Sequence, residues 1–414
     1  MKAVVIGGGA AGFFGAVSIA RYNPDAEVIL LERSHKLLSK VKVSGGGRCN
    51  VTNAETNIST LLKNYPRGAK ELRTVFNSFS TNDTVRFFEE RGVPLKAEND
   101  GRVFPVSDQS QSIIDCLVKE ARKLGVKILT DVHVKALRKE KDQFELTIKS
   151  GEKILCDKVL IATGGFHNPE SYAWLQTIGH SVIKPVPSLF TFNIPDFRLN
   201  GLQGLSVGNV SVRVNGIKQS QEGPILITHW GLSGPSVIKL SAWLARRLHE
   251  LNYSFSVVVN WLPQYNEETF REYLSALKKE NNKKVFSSSA LFNLPRRLWE
   301  RFVALAQIDP DMRWYDLSKK QINVLTQEVV YGTYAVNGKT TFKEEFVTAG
   351  GVSLKEIDMH TMESKVEPGL YFAGEILDID GVTGGFNFQA AWSTGFVAGK
   401  HIAGNKGIIR MSCE

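Results

Sequence analysis

Cysteine is scarce in this chain. Cys49, Cys116, Cys156 and Cys413 form no CxxC pair and no zinc-ligand spacing. That excludes a disulfide scaffold and a metal centre and points to a reducing, cytoplasmic setting. No run of eighteen apolar residues occurs, so no membrane span is expected. The start resembles a signal peptide, with Lys2 before an apolar run. Gly7, Gly8, Gly9 and Gly12 interrupt it where an apolar helix would form, and no clear cleavage site precedes Arg21, Asp25 and Glu27. Basic residues never cluster five in a row, so the net charge of +9 is taken as dispersed lysine. The expected partner is a small molecule, with neither nucleic acid nor membrane.

Against these absences stand 36 glycines gathered in short motifs. A length of 414 residues suggests two or three domains. Residues 2–6 have the pattern of a buried parallel strand, 10–22 of a helix and 27–32 of a second strand. Between the first two lies Gly7-Gly8-Gly9-Ala10-Ala11-Gly12. Glycine is needed where the backbone turns tightly and approaches a pyrophosphate closely, and the helix that follows aims its free N–H groups at the phosphates. Glu32, twenty residues after Gly12, is placed to accept hydrogen bonds from an adenosine ribose, with Arg33 beside it. Strand, helix and acid together predict a dinucleotide site.

The order of later segments distinguishes FAD from NAD. Helices are expected at 68–79, 82–91 and 108–124, the last capped by Ser107, and then a strand at 126–130. A three-stranded meander over 132–138, 143–149 and 153–156 follows, and an apolar strand leads into Thr163-Gly164-Gly165. Far downstream an apolar strand runs into Gly374-Glu375, and Gly384-Gly385-Phe386-Asn387 opens a last helix. This interrupted sheet is the layout of glutathione-reductase-type FAD domains. Asp380 is placed to approach the ribityl chain and pyrophosphate. The last helix N-terminus would face the flavin pyrimidine edge and stabilise negative charge there.

Two further motifs carry chemistry. Residues 37–54 are taken as a loop containing Lys42, Ser44, Gly45, Gly46, Gly47, Arg48, Cys49 and Asn50. Successive glycines let N–H groups converge on an anion, and Arg48 adds a fixed charge for a phosphate or the flavin carbonyls; the plainer alternative is a surface loop. Cys49 beside Arg48 is a candidate reactive thiol, or a small residue packed under the flavin. Thr228-His229-Trp230-Gly231-Leu232-Ser233-Gly234-Pro235 makes His229 a candidate acid or base, or a structural turn residue.

These blocks, with GRVFPVSD, VTAGGV and TMESK, run in order over nearly the whole chain, and it resembles the BaiN/RdsA family of NAD(P)/FAD-dependent oxidoreductases, which includes aminoacetone oxidase. The resemblance implies an α/β fold: a Rossmann-like FAD-binding domain over 1–187 and 346–414, an inserted β-barrel domain over 188–262 and 329–345, and a helical subdomain over 263–328. It places FAD contacts on Ala11, Glu32, Lys42, Ser44, Gly46, Arg48, Cys49 and Asn50, on Thr163, Gly164, Gly374, Glu375, Asp380, Gly385, Phe386 and Asn387, and on Val134 in the strand that reaches the adenine. One departure is visible: where many relatives carry a longer Gly/Ser/Thr-rich stretch, Phe166-His167-Asn168-Pro169-Glu170 leads directly into Tyr172.

The expected function is FAD-dependent oxidation or reduction of a small organic substrate at flavin N5 and C4a. No second GxGxxG unit is present, so NAD(P)H acts as a transient donor or oxygen reoxidises the flavin. The alternatives are a flavin-dependent tRNA-modifying protein and a flavin-binding protein without turnover.

Overall fold

The computed structural model describes residues 1–404 apart from 167, 282, 287–291 and 341–346. His167, Cys413 and the boundary expected between 345 and 346 lie outside the described residues. The chain forms two compact units, Met1–Ser188 with Phe342–Glu414, and Leu189–Thr341.

The first unit is built on a five-stranded parallel sheet. Lys2–Ile6 lies at its centre between Glu27–Leu31 and Lys158–Ile161, with Lys127–Leu129 and Leu370–Phe372 at the edges. Val4, Val5, Leu30, Leu160 and Ile161 are fully buried, as near-continuous apolar strands require when both faces are covered. One covering layer pairs the first helix, Ala10–Tyr22, with the last, Phe386–Ala403. Their crossing is close because it is made of glycines: a Cβ on Gly395 would sit 2.5 Å from the Ala11 carbonyl oxygen, and one on Gly399 would sit 2.4 Å from that of Gly15. Phe14 and Trp392 pack beside it, ring centroids 5.1 Å apart.

The meander forms as Val134–Glu140, Gln143–Ile148 and Lys153–Cys156. Two expectations need correction. Ser107 does not cap the next helix, because Asp108 takes a positive φ of 53° and delays the helical backbone; the helix is Ser110–Lys123 with Gln109 as its cap residue. The stretch expected to be loop over 37–54 contains a short helix, Ser39–Val43, a 3-10 turn, Ser44–Gly47, and a short strand, Thr52–Asn53.

Val182–Ser188 pairs antiparallel with Val347–Val352. Just before this ribbon His180 is buried. Its Nδ1 lies 2.9 Å from Glu356 Oε2 and its Nε2 lies 2.9 Å from Ser364 Oγ. Ser364 Oγ already accepts the N–H groups of Val366 and Glu367, so the neutral tautomer with Nδ1–H toward Glu356 satisfies all three side chains. Burial depresses the imidazole pKa against the opposing pull of Glu356. The folded protein therefore takes up this proton at a lower pH than the unfolded chain. The stability His180 contributes is present above the ordinary histidine range and is lost as pH falls through it. His180→Ala is expected to cost about 2–4 kcal/mol in denaturant unfolding at neutral pH, and to flatten the loss of stability on acidification.

The second unit is a seven-stranded antiparallel sheet. One continuous segment closes its order: Gly332–Asn337 pairs with Ser254–Asn260, and Lys339–Thr340 pairs with Thr191–Asn193. The region expected to be β-rich also holds two helices, Pro235–Trp243 and Ala245–Glu250. The helices of the expected subdomain, Glu267–Glu280, Arg296–Leu305 and Lys319–Val330, share one core with the sheet, Phe270, Leu298 and Phe302 being buried with Val212 and Val257.

Candidate functional site

The glycine turn is shaped from within. Gly7 has φ +117°, and a Cβ there would lie 2.3 Å from the Ala162 carbonyl oxygen. A Cβ on Gly12 would lie 1.9 Å from the Gly7 carbonyl oxygen. Gly9 differs: it is the cap residue of the first helix, no side chain caps that end, and a Cβ there would meet nothing within 4 Å. The helix thus begins beside open space at Gly9, with no side chain over its first N–H groups, which suits a pyrophosphate. Glu32 closes the turn: its Oε2 accepts the Gly8 N–H at 2.8 Å and its Oε1 accepts the Ser34 N–H at 2.9 Å. Ser34 Oγ also donates to Oε1 at 2.9 Å, and the half-buried carboxylate keeps an acceptor site on Oε2 for a ribose. Arg33 is exposed and lies over the Phe166 ring, 5.8 Å from its centroid. Val134 begins the meander and is half-buried.

The C-terminal segments meet this turn. Gly374, at φ +76°, lies against Ala11, where an added Cβ would come 2.8 Å from the alanine methyl. Thr163 and Gly164 follow the Lys158–Ile161 strand, and Gly165 lies against Thr348 and Glu375. Glu375 accepts the Thr348 N–H at 2.9 Å and pairs with Lys40 at 2.5 Å. Thr348 Oγ1 is buried with no partner among the described residues. Gly385, at φ +89°, touches Thr52 so closely that a Cβ would lie 2.3 Å from its carbonyl oxygen. The amide of Asn50, oriented by its neighbours, bridges the two segments by donating to the Thr52 carbonyl and accepting the Gly385 N–H at 2.9 Å. Asn387 clasps Gly381 through both its amide atoms, and Tyr65 donates to the Phe386 carbonyl at 2.7 Å. Gly384 accepts from Asn53. The 44–50 loop is thus bonded to the start of the last helix, and residues from both ends of the chain converge.

Three residues do other work than expected. Arg48 holds no free charge for a phosphate: it pairs with Glu98 at 2.7 Å and Asp108 at 3.6 Å and lies over Phe104. Asp380 is fully buried, forms a two-pronged ion pair with Arg67 and accepts from Ser188 Oγ at 2.8 Å. Cys49 is fully buried at φ 61°, and burial pushes its thiol up to about 12. Arg48 does not lower it, so the thiolate expected from that neighbour does not form at neutral pH. Cys49→Ala is expected to keep FAD and turnover within about twofold, read by flavin absorbance and rate of flavin reduction; loss of turnover with FAD bound would restore the reactive-thiol role. Gly45, Gly46 and Gly47 take φ of 59°, 69° and 86° on an exposed turn. Lys42 is exposed, its carbonyl accepting from Ser110 Oγ, and Ser44 Oγ donates to the Val41 carbonyl. His229 lies in the second unit, exposed, in a turn closed by the Thr228 N–H to the Gly231 carbonyl.

Residues missed from the sequence include Lys40, Arg67, Thr348 and Gln389. Gln389 is fully buried and accepts from Thr52 at 2.5 Å and Thr84 at 2.9 Å, tying the short 52–53 strand to the last helix. Nothing local marks these residues, since each partner is distant in sequence.

The HI0933-like protein Rossmann domain matches residues 1–401. The chain belongs to that family. Over 410 residues it is 30% identical to a 3-dehydro-bile acid delta(4,6)-reductase from Clostridium scindens, covering 96% of this chain and 98% of the relative. Over 419 residues it is 31% identical to a ribosomal RNA dihydrouridine synthase from Escherichia coli, covering 98% of each. Among solved structures, a 3-ketosteroid-delta4-(5alpha)-dehydrogenase from Rhodococcus jostii shares the fold, with a TM-score of 0.51 at 16% identity over 97% of each chain. The family member described here is a flavin-dependent oxidoreductase with a Rossmann-like FAD-binding fold. No helix among the described residues is long and apolar enough to cross a membrane.

Proposed function

We propose that the enzyme reduces a carbon–carbon double bond conjugated to a carbonyl group, with NAD(P)H as electron donor. The observation that carries this reading is the agreement between two relatives of equal similarity to this chain. One is named for a delta(4,6) reduction in a 3-dehydro bile acid, the other for making dihydrouridine, and each name describes two hydrogens added across such a bond. When bound, FAD supplies the two-electron chemistry that links donor to acceptor. The chain's residues hold and orient it: the N–H groups after Gly9 take the pyrophosphate, Glu32 the ribose, and Asn50 fixes the start of the last helix, whose dipole favours negative charge nearby. His229 is the proposed proton donor for the second hydrogen, and a pH–rate profile unchanged in His229→Ala would remove it from that role.

The donor half is tested by anaerobic mixing of the FAD-loaded enzyme with NADH or NADPH. Bleaching of the flavin by at least one is expected; no bleaching by either overturns the reductase reading.

A uracil in RNA is favoured as the acceptor by one observation. Six of the nine net positive charges lie within 189–341. This reading replaces the expectation of no nucleic-acid partner. Mass spectrometry of ribosomal RNA from cells with and without the gene tests it: dihydrouridine lost without the gene supports it, and unchanged dihydrouridine overturns it.

A further inference from the structure

The glycine turn is held from two sides by segments that then meet each other. On one side Glu32 accepts the Gly8 N–H at 2.8 Å, and Arg33 follows it in the chain. On the other, Gly7 packs so close to Ala162 that an added Cβ would lie 2.3 Å from its carbonyl oxygen, and the segment to Phe166 follows. Gly164 bends that segment at φ +72°, and Gly165 rests against Thr348 and Glu375. The Arg33 guanidinium lies over the Phe166 ring, 5.8 Å from its centroid. The two segments thus close a ring of contacts that borders the start of the first helix at Gly9.

Both partners of the Arg33–Phe166 contact are positioned without being saturated. Phe166 is half-buried and set in place by Tyr172, six residues on. Tyr172 Oη accepts the Phe166 N–H at 3.0 Å, and the two rings meet edge to face, 5.0 Å between centroids and 86° between planes. Tyr172 itself is fully buried, and burial pushes its phenol up to about 12, so the anchor stays neutral at ordinary pH. Arg33 is exposed and pairs with no carboxylate among the described residues. A cation over one exposed ring is a weak contact, which parts to admit a ligand and re-forms at little cost.

We propose that Arg33 and Phe166 form a clasp over the adenosine half of bound FAD and slow its release. The adenosine half is the one concerned because Glu32, the ribose partner in this reading, directly precedes Arg33. Arg33 supplies charge that suits a pyrophosphate, and Phe166 supplies an apolar cover. The inference rests on FAD lying on the glycine turn and is independent of the acceptor.

The test follows FAD release from the loaded enzyme after dilution, by flavin fluorescence, with the flavin midpoint potential measured on the same preparations. Phe166→Ala and Arg33→Ala are each expected to speed release by about fivefold or more, and Phe166→Tyr, which keeps the ring, to stay within about twofold of wild type. Because the two residues act through one contact, the double variant is expected to release FAD at most about twofold faster than the faster single variant. Thermal unfolding confirms that each variant is folded. The midpoint potential is expected to be unchanged; a shift in it would place the effect at the flavin and overturn the clasp. Release within about twofold of wild type in both single variants also overturns it. So does a double variant whose acceleration is the product of the two singles, because the residues would then act separately. Loss of FAD from Gly12→Ala alongside unchanged release in the clasp variants would remove the clasp and leave the turn as the FAD site.

Discussion

Gly12→Ala is expected to yield protein that retains almost no FAD. The added methyl would lie 1.9 Å from the Gly7 carbonyl oxygen, an overlap that no rotamer relieves because the Cβ position is fixed by the backbone and the oxygen is a backbone atom. The helix start must move by about 1 Å or more, at a cost of about 3 kcal/mol in overpacking strain. That displacement moves the N–H groups of Ala10 and Ala11, whose value for a pyrophosphate depends on their position. Gly7 is itself held, its N–H bonded to the Leu31 carbonyl at 2.7 Å. Gly9→Ala is the matched control. Its backbone has an ordinary φ of −92°, and its methyl would meet nothing within 4 Å, so the fold is expected to be unchanged while FAD binding weakens. Visible flavin absorbance of the purified variants, with thermal unfolding of each, separates the two effects. Full FAD occupancy in Gly12→Ala would show that the turn does not carry the pyrophosphate.

Asp380→Ala is expected to be the most destabilising of the polar substitutions, by about 3–5 kcal/mol in denaturant unfolding. The carboxylate is fully buried, and the Arg67 side chain that pairs with it is only 10% exposed. Removing the anion leaves a guanidinium in the interior with its main partner gone, and Ser188 loses its acceptor as well. The double variant Arg67→Met/Asp380→Leu tests that cause. If the unpaired charge accounts for the loss, replacing both ions with apolar groups restores much of the stability. Equal destabilisation in the single and double variants would place the effect in the packing of the 378–381 segment instead.

The nucleotide fold was legible because its signals are local. The helix Ala10–Tyr22 lies where glycine spacing and apolar periodicity predict it, and the strands Lys2–Ile6 and Glu27–Leu31 match within a residue. A tight turn needs glycine whatever surrounds it, so the motif carries its own geometry. The functions of charged residues were not legible in the same way. Arg48 looked free because Glu98, its partner, lies fifty residues on. Asp380 stood in a flavin-site motif, but its role is set by Arg67, brought near by the packing of both chain ends. Lys40 carries no local signal, although it meets Glu375 across 335 residues. Ionic partners are chosen by topology, and periodicity and spacing carry no trace of them. Cys49 illustrates the same limit: Arg48 beside it in sequence suggested a lowered pKa, while burial, which only the fold supplies, raises it.

The central claim is that electrons leave this enzyme for a carbon–carbon double bond conjugated to a carbonyl. Its most direct test reduces the FAD-loaded enzyme anaerobically and then adds, separately, a conjugated steroid dienone and a uridine-containing RNA, following return of the oxidised flavin spectrum. Reoxidation by at least one of them without oxygen is expected, with a product that has gained two hydrogens. Reoxidation by oxygen alone, with both acceptors recovered unchanged, would contradict it.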